Sequence, residues 1–207
     1  MKVVVDPSAV IAVLLGETHR EQIIRKTEGA DLIAPDTLHW EVGNAFSAMF
    51  KQGRLGIETA EEALRRYDEI PIQRVQVTLS EAVRVVARHD LYAYDAYMLV
   101  AARRHQAPLL TLDGGLKEAA RESGIDSFGG GDMTVYTYSE ARQNLADLLD
   151  RAGKEGEIRI RRRDGREYVI RPQERNGSPL DVPSVSAQVS AEEIVDAVRA
   201  GRERAGR

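Results

Sequence analysis

The strongest constraint on this chain is where its apolar runs stop. Lys2-Val3-Val4-Val5 ends at Asp6-Pro7, and Pro108-Leu109-Leu110-Thr111-Leu112 ends at Asp113-Gly114. Continuous rather than alternating apolar runs mark strands buried on both faces, as in parallel sheets. Between them the chain alternates short strand-like runs (Leu32–Pro35, Val75–Thr78) with helical stretches. The helices are read at Ser8–Leu15, Glu17–Glu28, from a cap at Asp36 or Thr37 through Phe50, and at Glu58–Tyr67, Leu79–His89, Asp95–His105 and Leu116–Ser123. Strands separated by helices imply an α/β fold with a parallel sheet flanked by helices.

This pattern breaks at Gly129-Gly130-Gly131, which has the composition of a flexible linker over residues 129–132. Beyond it the text restarts as a small α+β unit over 133–172. A strand at Thr134–Tyr138 precedes a helix from Ser139 through Arg151. Strands at Glu157–Arg163 and Arg166–Arg171 then flank the hairpin signal Asp164-Gly165. Residues 173–207 form a third segment, extended to about Val189 and closed by a helix. Ser190 and Glu193 there make a capping box, and Ile194, Val195 and Val198 form a narrow apolar stripe that needs a partner surface.

Composition excludes several classes. The chain lacks cysteine, so disulfides and zinc–thiolate sites are out. Asp6 interrupts the first apolar stretch and no run approaches the length of a membrane span, so a cytoplasmic protein with no membrane contact is expected. The net charge of −4 conceals a basic stretch, Arg159 to Arg175, suited to phosphate or to a solvated strand face.

Four acids stand out by position: Asp6 and Asp113 at strand ends, Asp95 at a helix start, and Glu41 in a core-facing helix one turn before Asn44. Each alone also suits a structural post, as turn residue, helix cap or surface acid. Strand C-termini and neighbouring helix N-termini converge on the ligand crevice of an open parallel sheet. Carboxylates gathered there repel unless a cation neutralises them, and oxygen-only ligation favours Mg²⁺ or Mn²⁺. Such an ion activates water and stabilises attack on a phosphodiester.

The segments VVVDPSAVIAVLLGE, WEVGNAF and YDAYMLVAARRHQAPLLTLDGGL, spread over residues 1–128, resemble VapC-type PIN-domain toxins. That resemblance implies a metal-dependent endoribonuclease acting on structured RNA such as tRNA or rRNA. It assigns Asp6, Glu41, Asp95 and Asp113 as catalytic, metal-binding acids, and Ser8, Asn44 and Thr111 as supporting residues. Asp90 is an extra acid nearby, better suited to a surface loop.

TVYTYSEARQNLADLLDRAGKEGEIRIRRRDGREYVIRPQ resembles a Phd/YefM-type antitoxin domain. This implies dimerisation and binding to operator DNA, with Arg142, Arg161, Arg162, Arg163 and Arg166 as phosphate or groove contacts. In such pairs the antitoxin's tail covers the toxin. Arg199 and Arg202, with Arg204 behind them, are the residues expected to reach the acids and displace the metal. The joint expectation is a toxin–antitoxin pair in one homo-oligomeric chain, its parts meeting in cis or between chains. One rival is a DNA-binding regulator whose PIN-like part is a catalytically silent scaffold, and another is a nuclease acting on DNA.

Overall fold

A computed structural model describes the chain except residues 90, 130–134, 156–157, 163, 165, 171–176, 186, 188 and 206–207. Asp90 and Arg163 therefore lie outside the described residues, and the side chain of Arg204 is likewise not described.

The first unit runs β1 (Lys2–Val5), α1 (Pro7–Leu14), α2 (Arg20–Lys26), β2 (Asp31–Pro35), α3 (Leu38–Lys51), α4 (Ile57–Glu69), β3 (Ile72–Val75). It continues through α5 (Leu79–His89), α6 (Ala93–His105), β4 (Leu109–Leu110), α7 (Gly114–Glu122) and β5 (Ser127–Phe128). The five strands are all parallel, in the order β3-β2-β1-β4-β5. Strand order reverses at β1, so the crevice such sheets use for ligands opens between the C-terminal ends of β1 and β4. Asp6 and Asp113 follow those two strands.

One face of the sheet packs on α1 to α4 and the other on α5 to α7. All of β1 except Lys2 is fully buried, which explains its unbroken valine run. Two strands depart from the sequence reading. β3 lies at Ile72–Val75 rather than Val75–Thr78, pairing Ile72 with Leu32 and Val75 with Pro35. It is an edge strand, where the exposed Gln73 and Arg74 are tolerated and mask the strand signal. β5, with only Ser127 and Phe128, was too short to show as a pattern.

Gly129, expected to open the linker, instead belongs to this unit. Its φ is +127°, and a Cβ there would lie 2.2 Å from the Thr111 carbonyl oxygen. Only glycine fits that approach.

The second unit comprises β6 (Val135–Thr137), α8 (Tyr138–Gln143), α9 (Leu145–Glu155), β7 (Ile158–Arg161) and β8 (Glu167–Ile170). β6 and β7 pair in parallel, and β7 and β8 antiparallel. The single helix read from Ser139 to Arg151 is two, broken at Asn144, and it starts one residue earlier, so Ser139 is not its cap. The core is small: Ala141, Leu148, Ala152, Ile158 and Ile160, with Ile170 against them.

The last segment docks on the first unit, not the second. Gly29 N donates to Gly177 O (3.3 Å), Arg20 Nη2 to Val182 O (2.9 Å) and Val185 N to Leu14 O (2.8 Å). Leu180, Val182, Val189, Ile194, Ala197 and Val198 are buried in the same cluster as α1 and α3. The chain ends in α10 (Ala191–Ala205), lying along α3. Ser190 and Glu193 form the reciprocal capping box that the sequence specifies. Among the described residues no helix is long and apolar enough to cross a membrane.

Candidate active site

The site is built on three local devices. Asp6 caps α1: its Oδ1 accepts from Ser8 N (3.0 Å), from the Ser8 hydroxyl and from Thr111 Oγ1 (3.1 Å). Asp113 caps α7 in the same way, accepting from Gly115 N (2.8 Å) and Leu116 N (3.1 Å). The turn and cap roles open to these acids are thus occupied, but each cap uses only one carboxylate oxygen, leaving the other for the crevice. Ser8 Oγ accepts from Leu112 N (3.0 Å), and Thr111 Oγ1 from Asp113 N (3.0 Å). The two hydroxyls therefore tie the β1 end to the β4 end and fix the spacing of the two aspartates.

Glu41 and Asp95 reach the same point from either side of the sheet. Glu41 sits in the first turn of α3 and Asp95 in the first turn of α6. All four acids are buried, and the cavity they surround holds a guanidinium. Arg202 of α10 is 2 % exposed. It donates Nη2–H to Asp6 Oδ2 (2.6 Å), Nε–H to Glu41 Oε2 (2.7 Å) and Nη1–H to Asp95 Oδ1 (2.7 Å). One turn earlier Arg199 donates through Nε to Asp113 Oδ2 (2.7 Å) and through Nη2 to Oδ1.

The charge balance remains strained. Four carboxylates face two guanidiniums; Arg202 is buried away from screening water, while Arg199 is half-exposed. Burial pushes the Glu41 carboxyl up to about 7, with Arg202 pulling it down and Asp6 adding to the rise. Burial likewise lifts Asp95 to about 6 against the pull of Arg202. Burial acts upward on Asp113 too, but the hydrogen bonds from Arg199 and the Leu116 amide outweigh it and hold that carboxyl below its usual range. Burial would favour a neutral Arg202, yet Asp6, Glu41 and Asp95 hold its proton more tightly than usual.

The donor set fits a hard divalent cation. It is all oxygen and more acidic than its cations neutralise, and Glu41 Oε1 is buried without a hydrogen-bond partner. With the guanidinium seated, no group of three acids among the described residues is arranged to hold a metal ion. Arg202 occupies the position the oxygens converge on.

Asn44, one turn after Glu41, is exposed and faces Gly201 of α10. A Cβ on Gly201 would lie 2.9 Å from Asn44 Cβ, so the glycine sets how closely α10 lies on α3. Sequence reasoning missed this contact. Its signal was a glycine inside a helix, which costs about 1 kcal/mol and needs a packing reason.

The basic residues of the second unit lie elsewhere. Arg142 on α8, Arg161 at the end of β7, and Arg162 and Arg166 in the hairpin are all exposed, and Arg162 N donates to Arg166 O (2.9 Å). They do not join the acid site.

Residues 3–122 match the PIN domain family, and residues 133–174 match the Phd/YefM antitoxin family of type II toxin–antitoxin systems. Ribonuclease VapC3 of Pyrobaculum aerophilum is 30 % identical over 126 residues, covering 57 % of this chain and 94 % of that protein. Among solved structures, PAE2754 of the same organism is 23 % identical, covers 61 % of this chain and 83 % of its own, and has a TM-score of 0.49. A PilT N-terminus domain protein of Sulfolobus solfataricus is 15 % identical, with coverages of 62 % and 87 % and a TM-score of 0.34.

Proposed function

The chain belongs to the PIN-domain family and carries a Phd/YefM antitoxin domain behind it, and from that premise we propose a toxin–antitoxin pair in one polypeptide, its ribonuclease held latent by its own last helix. The observation that carries this is Arg202: one guanidinium satisfies three carboxylates that would otherwise repel.

In the active state Asp6, Glu41, Asp95 and Asp113 would hold Mg²⁺ or Mn²⁺, directly or through water. A divalent ion there would supply a nucleophilic water and charge neutralisation at the scissile phosphate of RNA, with tRNA or rRNA as the substrate class. The chain's own residues do the positioning. Ser8 and Thr111 hold Asp6 and Asp113 in register, so the acids need no reorganisation when the guanidinium leaves. Asn44 borders the site on α3, where the seated tail rests on it.

The second unit contributes operator binding through Arg142, Arg161, Arg162, Arg163 and Arg166. The exposure of the four described arginines supports this reading. Exposed Leu145 and Leu149, four residues apart on α9, and the outer edge of β8, which pairs with no further strand among the described residues, are surfaces for homo-oligomer formation.

The test is RNA cleavage with Mn²⁺ by the full chain, by Arg202→Ala, and by Arg202→Ala combined with Asp6→Asn. Silence, activity and silence, in that order, are expected. A folded Arg202→Ala chain that binds Mn²⁺ yet cleaves no RNA would leave a DNA-binding regulator with a silent scaffold as the better account.

A further inference from the structure

The tail covers the four acids but leaves open a neighbouring cavity that the mechanism above does not use. It has a volume of about 330 Å³ and lies beyond the ends of β2 and β3, with Pro35, Thr37, Val75, Val77, Leu79 and Tyr97 in its walls. β2 is the strand next to β1, so the cavity begins about 5 Å, one strand spacing, from the line of Asp6. It shares two elements with the acid site. Thr37 stands one helical turn before Glu41, whose amide donates to the Thr37 carbonyl (3.0 Å). Tyr97 is on α6, the helix that carries Asp95.

The surroundings of the cavity expose large apolar side chains. Leu79 at its rim is 68 % exposed, and so is Trp40, which shares a side of α3 with Thr37. The Thr37 hydroxyl is buried without a regular hydrogen-bond partner, although it lies near enough to pull the Glu41 carboxyl slightly down. Asp36 and Gln76 also line the cavity, and Arg104, half-exposed at its edge, donates to the Gln76 carbonyl (3.2 Å) and pairs with Glu81 (3.5 Å).

We propose that this cavity binds an unpaired nucleobase of the RNA substrate, beside the phosphodiester presented to the four acids. Apolar walls with Tyr97 suit the face of a base, and Trp40, exposed one helical turn on from Thr37, offers a second ring outside them. The Thr37 hydroxyl, the Asp36 carboxylate and the Gln76 amide suit its edge, and Arg104 suits a flanking phosphate. The identity of the strand rests on the ribonuclease reading; the binding itself does not.

The experiment titrates a 5′-labelled, unstructured hexaribonucleotide into the full chain without metal and follows anisotropy. Saturable binding is expected, weakened about tenfold by Leu79→Ser and by Trp40→Ala. Ile57→Ser, an exposed change at the start of α4, leaves it unchanged. All three positions are solvent-exposed, so the variants keep the fold, which circular dichroism checks. Absence of binding, or binding indifferent to Leu79→Ser and Trp40→Ala, overturns the proposal. If Arg202→Ala cleaves RNA while hexamer binding ignores both substitutions, the ribonuclease reading stands and the base site falls. If it cleaves nothing while both substitutions weaken hexamer binding, the base site stands and the ribonuclease reading falls.

Discussion

The segment from Gly177 to Ala205 and the small unit just before it are neighbours in sequence but not in energy. The small unit keeps its own core around Leu148, Ile158 and Ile160. The tail has none: its apolar residues complete the core of α1 and α3, and its arginines complete the acid site. The boundary that decides which parts unfold together therefore follows contacts rather than chain order. A segment too short to bury a core of its own gains order only from the surface it covers.

The tail's dependence on the first unit is greatest at Arg202. Arg202→Ala strips three buried carboxylates of their cation and should cost about 3–5 kcal/mol without metal. Added Mn²⁺ should recover much of that loss, because the oxygens then have a cation again. Thermal melts with and without Mn²⁺ measure both. A variant as stable as the parent in chelator would mean that the acids are not held against their repulsion by this guanidinium.

The small unit should respond independently. Leu148→Ala empties part of a five-residue core and should cost about 2–5 kcal/mol, enough to unfold that unit. Hydrogen exchange should then quicken in β6 to β8 while amides from Leu180 to Val198 keep the protection of α1 and α3. Loss of protection in both would show that the tail depends on the small unit after all.

The acids also make stability depend on pH, with a sign opposite to that of ordinary ion pairs. Glu41 and Asp95 have folded-state values near 7 and 6, above those of an unfolded chain, so the folded protein binds protons more tightly. Stability should rise as pH falls through 7 and 6, levelling off near the unfolded values. Asp113 runs the other way, its contribution being lost only as pH falls below the usual carboxylate range. A melting temperature higher at pH 5.5 than at pH 8, by about 5 °C, is expected, and Glu41→Gln should flatten the difference.

Much of this architecture was legible in the sequence, for identifiable reasons. Strands buried on both faces have continuous apolar runs, and an aspartate that stops such a run at a tight helix start is hard to miss; Asp6 and Asp113 were visible on that account. Glu41 was visible because it interrupts the apolar face of α3. β3 was misplaced because an edge strand tolerates Gln73 and Arg74 in its middle. The division between α8 and α9 leaves no glycine or proline to announce it. Gly129 reads as linker because a glycine needed for close approach and one needed for flexibility are the same letter. Arg199 and Arg202 stood out only through the resemblance, since a lone arginine on a terminal helix otherwise reads as solvated. Where they reach was fixed by Gly201, a contact between residues 157 positions apart that no local pattern encodes.

That glycine gives the next test. Gly201→Val places a branched side chain where even a single Cβ comes within 2.9 Å of Asn44, and helix-on-helix overpacking costs about 1–3 kcal/mol. α10 should stand away from α3, withdrawing Arg202, so RNA cleavage should appear with all four acids and both arginines still in the chain. Continued silence, with α10 as protected from exchange as before, would mean that α3 yields instead and the glycine does not set the seat of the guanidinium.

The smallest effect comes from the far end of the same helix and separates anchoring from inhibition. Ser190 Oγ accepts from Glu193 N (3.2 Å) while Glu193 Oε2 accepts from Ser190 N (2.9 Å), and Glu193 also pairs with Arg54 (2.5 Å). Ser190→Ala should cost about 1 kcal/mol, fraying the first turn of α10 and raising exchange from Ala191 to Ile194 about fivefold. Arg202 lies twelve residues on, about 18 Å along the helix, with Ala197 and Val198 buried between. The guanidinium should therefore stay seated and the chain stay silent toward RNA. Cleavage by Ser190→Ala would mean that α10 comes off as one rigid piece, so that order at its first turn, rather than packing along its length, holds the acids closed.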